Sequence, residues 1–282
     1  MHEILSFLGA LPFECMQAQF MQRALAGLLL LAPLVAIMGV QVVNFRMAFF
    51  SDAISHSAFA GVALGLLLAV SPHWSMPLFG ILVGLGIVAV RRHSLLSADT
   101  VIGVFFAGVM AFGLAIISRD PATARNVQTF LYGDILTITE MHIRLLAVLF
   151  VGIVLFQLAG YNRLLSISLN AVLASAHRVR VAFWNYAFAA LLALVVMFSV
   201  QAVGVFLVTA MLIVPAATAR NLARSAQGML WWAVGVSLFS TCCGLIISAQ
   251  DWARTATGAT IILVACLCFL LSLAAMFRRG RS

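Results

Sequence analysis

Of the 282 residues, 64% are hydrophobic and only 9% are charged. A soluble domain carries roughly 25% charged residues, so a water-soluble globule is excluded. The formal charge of +8 comes from sixteen arginines and no lysine, spaced one to three at a time between apolar segments. That dispersal excludes a nucleic-acid-binding face, and the missing lysine excludes a Walker A phosphate-binding loop and hence a nucleotide-binding domain.

In chain order, residues 1–19 hold Glu3 and Glu14, no arginine or lysine, and one short apolar stretch at 4–13. They are expected to form an exposed or interfacial segment ahead of the first span rather than a secretory signal. A bilayer-crossing helix needs about 20 apolar residues. Runs of that kind place spans at 22–43, 48–70, 74–90, 100–118, 143–159, 183–199, 201–219, 229–249 and 257–277. The expected fold is all-α, a polytopic membrane protein of nine transmembrane helices (eight as the alternative count) forming one membrane domain over 1–282. Gly61 and Gly65, with Ser57 one turn earlier, make a small face on the second span, and Gly80 and Gly84 make one on the third; such faces permit close helix packing. The sixth and seventh spans are divided by no more than 199–201, which allows a tight turn or one long broken helix. Gly204 sits near the start of the seventh, and Pro215 is expected to kink it. Cys242 and Cys243, like Cys266 and Cys268, do not share a helix face and are expected to be small buried hydrophobes.

Charge sets an expected orientation. With the N-terminus outside and the C-terminus cytoplasmic, inside loops receive Arg46, Arg91, Arg92, Arg163, Arg178, Arg180, Arg220, Arg224, Arg278, Arg279 and Arg281. Only Arg23, Arg119, Arg125, Arg144 and Arg254 fall outside, as the positive-inside rule requires of a cell inner-membrane protein. Two connections are long enough to have structure. The outside one, 118–142, contains turn-like residues. The inside one, 161–181, interleaves leucines with serines before a basic end at His177, Arg178 and Arg180. It is expected to form a short helix on the membrane surface, capped by Ser168 or Asn170, that either anchors to lipid headgroups or docks a cytoplasmic partner.

Asp52 and His56 are four residues apart and share one helix face. A carboxylate and an imidazole offer oxygen and nitrogen ligands to a borderline divalent cation such as zinc. The same pair also fits a structural hydrogen bond or a proton relay. Facing lipid is costly for both, so they should face protein or a watery cavity. Any metal contact is transient, or takes further ligands from another helix or subunit. His2, His73, His93, His142 and His177 lie at span ends or in loops; of these, His73 is a weaker candidate to meet an incoming cation.

Four stretches carry a family resemblance: 46–57 around Asp52 and His56; 98–103, opening on Ala98 and Asp99; 130–136, with Tyr132, Gly133 and Asp134; and 211–220, with Pro215, Thr218 and Arg220. In that order and spacing they resemble the membrane subunits of bacterial ABC transporters for zinc and manganese, most closely the zinc-uptake permeases. The resemblance implies a homodimeric permease in the membrane lipid, with two cytoplasmic ATPase subunits docking near 164–178 and a periplasmic or extracellular metal-binding protein delivering the ion. It implies uptake of a divalent cation, zinc first, with manganese or iron as alternatives. Asp52 and His56 would line the cation path, with no stably bound cofactor, no covalent chemistry in this chain, and ATP bound by the partner. Ser51 replaces a glycine of the family pattern, 168–177 lacks its acid and glycine, and Thr257-Gly258 lacks its proline. The rival reading, an ion- or proton-coupled secondary transporter, has few acids in the spans to work with. A membrane-embedded hydrolase lacks a nucleophile and base arrangement.

Overall fold

A computed structural model describes residues 18–118, 135, 138–250 and 255–279, the side chains of 278 and 279 excepted. The expectations for residues 1–17, most of 118–142 and the 130–136 motif lie outside the described residues. The described chain is all-α, with no strand. In order it forms α1 Gln19–Asn44, α2 Ala48–Leu67, α3 Pro72–His93, α4 Ala98–Ile117, α5 Glu140–Leu169, α6 Ala171–Ala176, α7 Val181–Val203, α8 Val205–Leu222, α9 Ala226–Ser248 and α10 Thr257–Arg279. Among the described residues nine helices, all but α6, are long and apolar enough to cross a membrane. Their outward faces carry large apolar side chains such as Leu78, Leu114, Val148, Leu158 and Leu263. That pattern suits hydrocarbon as the solvent, because each helix satisfies its own backbone hydrogen bonds.

Local chemistry fixes the ends. Ser97 caps α4 by accepting from the Thr100 amide at 3.1 Å, and Ser225 caps α9 by accepting from the Gly228 amide at 3.0 Å. Pro72 opens α3 at a position where its missing N–H is not needed, and Arg91, Arg92 and His93 close it where cations favour the helix dipole.

The chain divides into two compact units, one of residues 1–40, 134–150 and 206–282, the other of 41–133 and 151–205. In the second unit α2 packs against α3, α4 and α7. Small residues make this possible. A Cβ at Gly61 would stand 2.9 Å from the Met76 Cα, and one at Gly65 would strike the Ser75 side chain. On α3, Gly80 lies against Met197, and Gly84 lies 3.2 Å from Ile54 by the same measure. The small faces expected at Gly61, Gly65, Gly80 and Gly84 are therefore packing faces.

In the first unit, Gly39 of α1 meets the Leu212 carbonyl of α8. The Ser237 hydroxyl of α9 donates to the Ala32 carbonyl at 2.8 Å, and Asn221 of α8 donates to Ser272 of α10 at 3.1 Å. Arg23 stands 3.9 Å from Glu140, which also pairs with Arg144 at 3.4 Å.

Three expectations shift. The break between the sixth and seventh spans lies at Gly204, not at 199–201: α7 runs on to Val203, and Gly204 adopts φ 88°, a conformation that L side chains rarely adopt. Helix α8 then continues through Pro215. The single surface helix expected over 164–178 is divided. Gly160 keeps helical backbone and no proline follows it before 170, so α5 extends to Leu169, 30 residues in all and about 45 Å long. Extended backbone at Asn170 (φ −157°) ends it, and the Asn170 side chain caps α6 by accepting from the Val172 and Leu173 amides. Cys242, Cys243, Cys266 and Cys268 are half-buried rather than buried, on helices whose outer faces need no polar cover.

Candidate functional site

Helix α2 is wrapped on nearly every side. Across positions 49–59 only Phe49, Asp52, His56 and Phe59 escape burial. Their spacing of three, four and three residues puts them on one helical face, so the single uncovered stripe of this helix is the one bearing its ionisable pair. Phe50, Ile54 and Ala58 occupy the opposite, fully buried side.

Within the stripe, the His56 Nε2 lies 3.8 Å from the Asp52 Oδ1, with the imidazole 27% and the carboxylate 39% exposed. The separation is beyond hydrogen-bond range, so the two groups do not consume each other's lone pairs. It is also under about 4 Å, the sum of a zinc–nitrogen and a zinc–oxygen bond, so one ion can reach both. Phe106 of α4 sets its ring edge-on to His56, centroids 5.3 Å apart, and limits how far the imidazole can swing. Among the described residues no group of three His, Cys, Asp or Glu comes together as a metal cage. Asp52 lies about 6 Å along the axis from the start of α2 and His56 about 6 Å deeper, at 1.5 Å per residue. The pair therefore runs from the second turn of the helix to just short of its midpoint.

Of the other described histidines, three are occupied or peripheral. His73, the weaker candidate, faces the Gln201 Oε1 at 3.2 Å, while the Gln201 amide donates to the His73 carbonyl at 3.3 Å. This reciprocal contact ties the start of α3 to the end of α7. His177 meets the Leu173 carbonyl at 2.8 Å and helps to close α6. His93 is exposed at the end of α3.

Sequence reading passed over a buried amide pair. Gln41 of α1 donates to Gln157 of α5 at 3.3 Å, both side chains out of solvent. The Gln41 Oε1 and the Gln157 Nε2 find no partner among the described residues. Gln41 is the one polar side chain in the run 24–43 and Gln157 the one in 145–159, and that isolation was the available signal. A second feature clear only in three dimensions is the exposed apolar surface at the α5–α6 break, where Leu169, Val172 and Leu173 are 80%, 77% and 59% exposed. Only Ala174 of α6 is buried.

The sequence pattern of the ABC 3 transport family matches residues 17–276. The chain belongs to the ABC 3 transport family. Family members similar to it include the high-affinity zinc uptake system membrane protein ZnuB of Haemophilus influenzae, 30% identical over 253 residues that cover 90% of this chain and 95% of ZnuB. The manganese import system permease protein ScaB of Streptococcus gordonii is likewise 30% identical, covering 90% of each chain. Among solved structures, a chain of PsaBC from Streptococcus pneumoniae in complex with Fab superposes with a TM-score of 0.77 at 28% identity, over 96% of this chain and 95% of that one. The fold agrees over nearly the whole chain. The family is one of membrane permease subunits rather than catalytic enzymes, and the expectation of a multi-pass membrane protein holds.

Proposed function

We propose that this chain is the membrane permease subunit of an ATP-driven uptake transporter for a divalent metal, with zinc as the cargo and Asp52 and His56 as its contacts in the path. The observation that carries the reading is the family match over residues 17–276, joined to an oxygen and a nitrogen donor on the one uncovered stripe of α2. Relatives named for zinc, manganese and iron are about equally similar in sequence, and zinc is put first on the resemblance of the sequence motifs to the zinc-uptake permeases.

In this reading residues 1–282 form one permease domain that works as a homodimer in the cell inner membrane, N-terminus outside and C-terminus cytoplasmic. Two ATPase subunits dock on the exposed apolar surface around Leu169, Val172 and Leu173, within 164–178. A periplasmic or extracellular metal-binding protein presents the ion on the other side. Alternating access releases it inward past His56 and Asp52. The role of this chain is positioning and gating; ATP chemistry belongs to the partner.

The test is reconstitution of the chain with its ATPase and binding protein in vesicles, followed by ATP-dependent uptake of zinc, manganese and iron measured side by side. Zinc accumulation that requires ATP and exceeds that of the other two is expected. Manganese or iron uptake above zinc would overturn the cargo assignment, and metal uptake that ignores ATP but follows a proton gradient would overturn the mechanism.

A further inference from the structure

At the arginine-bearing end of α3 lies a cavity of about 270 Å³ lined by Met47, Arg91, Arg92, Ala171, Asn185 and Tyr186, among others, all within the second compact unit. Its polar lining is rich in donors: two guanidiniums, which donate only, with an amide and a phenol that donate as well as accept. Arg91, half-buried, directs one Nη onto the Met47 sulfur at 2.6 Å, a weak acceptor for a strong donor. Among the described residues no carboxylate pairs with Arg91 or Arg92, and Asn185 and Tyr186 have no side-chain hydrogen-bond partner. Asp99 acts on Arg91 through space but is exposed and does not line the cavity. The cavity thus holds two positive charges and a surplus of donors, and it offers no anion of its own.

Its depth and mouth identify the missing anion. Arg91 and Arg92 occupy the last turn of a 22-residue span, which places them at headgroup level whichever way the helix points. Leu78 and Leu82 mark the lipid-facing side of α3, 62% and 60% exposed. At about 100° per residue, Arg92 projects about 80° from Leu82 and Arg91 points to the opposite side. The two guanidiniums therefore run from the lipid-facing edge inward. Phe183, next to the lining residue Ala182, is 61% exposed and adds apolar surface at the same level. The geometry points to a binding site for the phosphate of an anionic phospholipid, the headgroup held by Arg91 and Arg92 with Asn185 and Tyr186, and the acyl chains lying along Leu82 and Phe183. Guanidinium forks suit phosphate oxygens, and basic pockets between helices at the cytoplasmic surface take acidic headgroups. Because Ala171 of α6 also lines the cavity, a bound lipid touches the short helix that follows the α5 break. The inference requires the chain to span a membrane and is independent of the metal carried.

The experiment uses the purified permease–ATPase complex, delipidated and then exposed to phosphatidylglycerol or phosphatidylcholine, with retained lipid counted by native mass spectrometry. Wild type should retain phosphatidylglycerol over phosphatidylcholine, and inorganic phosphate should not displace it. R91Q/R92Q should weaken retention about thirtyfold, the scale expected for two headgroup-level arginines. R91K/R92K should keep part of it. R163Q, whose arginine stacks on Trp184 at 5.2 Å outside the cavity, should keep all of it. Equal retention of both lipids, or equal losses in R163Q and R91Q/R92Q, overturns the site. Displacement by inorganic phosphate makes it a free-anion site, and loss of lipid whenever the ATPase is bound makes it a protein contact; either outcome overturns the lipid assignment. Should R91Q/R92Q not fold, phosphatidylglycerol with a photoreactive headgroup must crosslink wild type within 88–92 or 181–186. Crosslinks found only elsewhere refute the proposal.

Discussion

Helix α6 has six residues, far below the 12–15 or so at which an isolated helix becomes even marginal in water. Among the described residues its contact with α7 is small and Ala174 is its one buried residue, so its persistence depends on the cap. The Asn170 Oδ1 accepts from the Val172 amide at 3.0 Å and the Leu173 amide at 3.1 Å. Replacing an N-cap asparagine by alanine costs about 1 kcal/mol, whereas aspartate or serine keeps the cap and glycine loses only a few tenths. One kcal/mol is about fivefold in an equilibrium constant, and for a helix this short that moves a large share of molecules to an open α6. If α6 and the neighbouring Leu169 form the ATPase contact, Asn170→Ala should lower metal uptake per ATP hydrolysed by about that factor. Asn170→Asp and Asn170→Ser should match wild type, with Asn170→Gly between them and alanine. The assay is paired uptake and phosphate release in vesicles, normalised to assembled complex. Wild-type coupling in Asn170→Ala, or a ranking that fails to follow cap strength, refutes a coupling role for α6.

Asp52→Asn and His56→Ala should each cut metal uptake severely while yield, dimer content and basal ATPase activity persist; a purely structural pair would instead show poor folding in both, and wild-type uptake per complex would remove them from the path. Gly61→Val should lower the yield of folded protein, because its Cβ would press on the Met76 backbone and overpacking of this kind costs roughly 1–3 kcal/mol; an unchanged melting profile in detergent would show that α2 and α3 can separate. Single cysteines beside Arg92 and Arg224, in a background without the native cysteines, should react with an impermeant thiol reagent only from the cytoplasmic side, and labelling from the outside would invert the topology.

Which parts of this molecule the sequence discloses follows from the range of each interaction. Span existence is a property of local composition, so all nine long helices were legible, most within a few residues. The ends were less so. Helix α5 outruns the apolar pattern by ten residues because no proline interrupts 160–169 and helical backbone runs on through Gly160 and polar residues alike, and the stop depends on one asparagine turning extended. The α7–α8 break was misplaced by a few residues because polar residues at 199–201 read as a turn, whereas the backbone turns where glycine permits positive φ. Asp52 and His56 were legible as a pair because i and i+4 are neighbours on any helix. That they occupy the only uncovered stripe of α2 was not legible, since it depends on α3, α4 and α7 covering the other faces. Gln41 with Gln157, His73 with Gln201 and Arg91 with Met47 join residues more than forty positions apart, and no periodicity within one helix reports them.

The same geometry bears on why a permease would be built with so sparse a site. A structural zinc centre closes four protein ligands around the ion and holds it. A path must bind well enough to admit the ion and weakly enough to release it. If Asp52 and His56 line the path as proposed, two donors 3.8 Å apart, with no third ligand gathered beside them among the described residues, would leave the rest of the coordination sphere to water or to a second copy of the chain. Half-exposure of both side chains lets that water come and go. Phe106 at one side and Phe49 and Phe59 along the stripe supply apolar walls without adding ligands. A third strong donor on this stripe should therefore slow transport while raising retention of the ion. Phe59→His, one turn beyond His56 on the same face, provides the case: lower turnover with more zinc held by the purified protein supports a path tuned for release, and faster uptake with unchanged retention contradicts it.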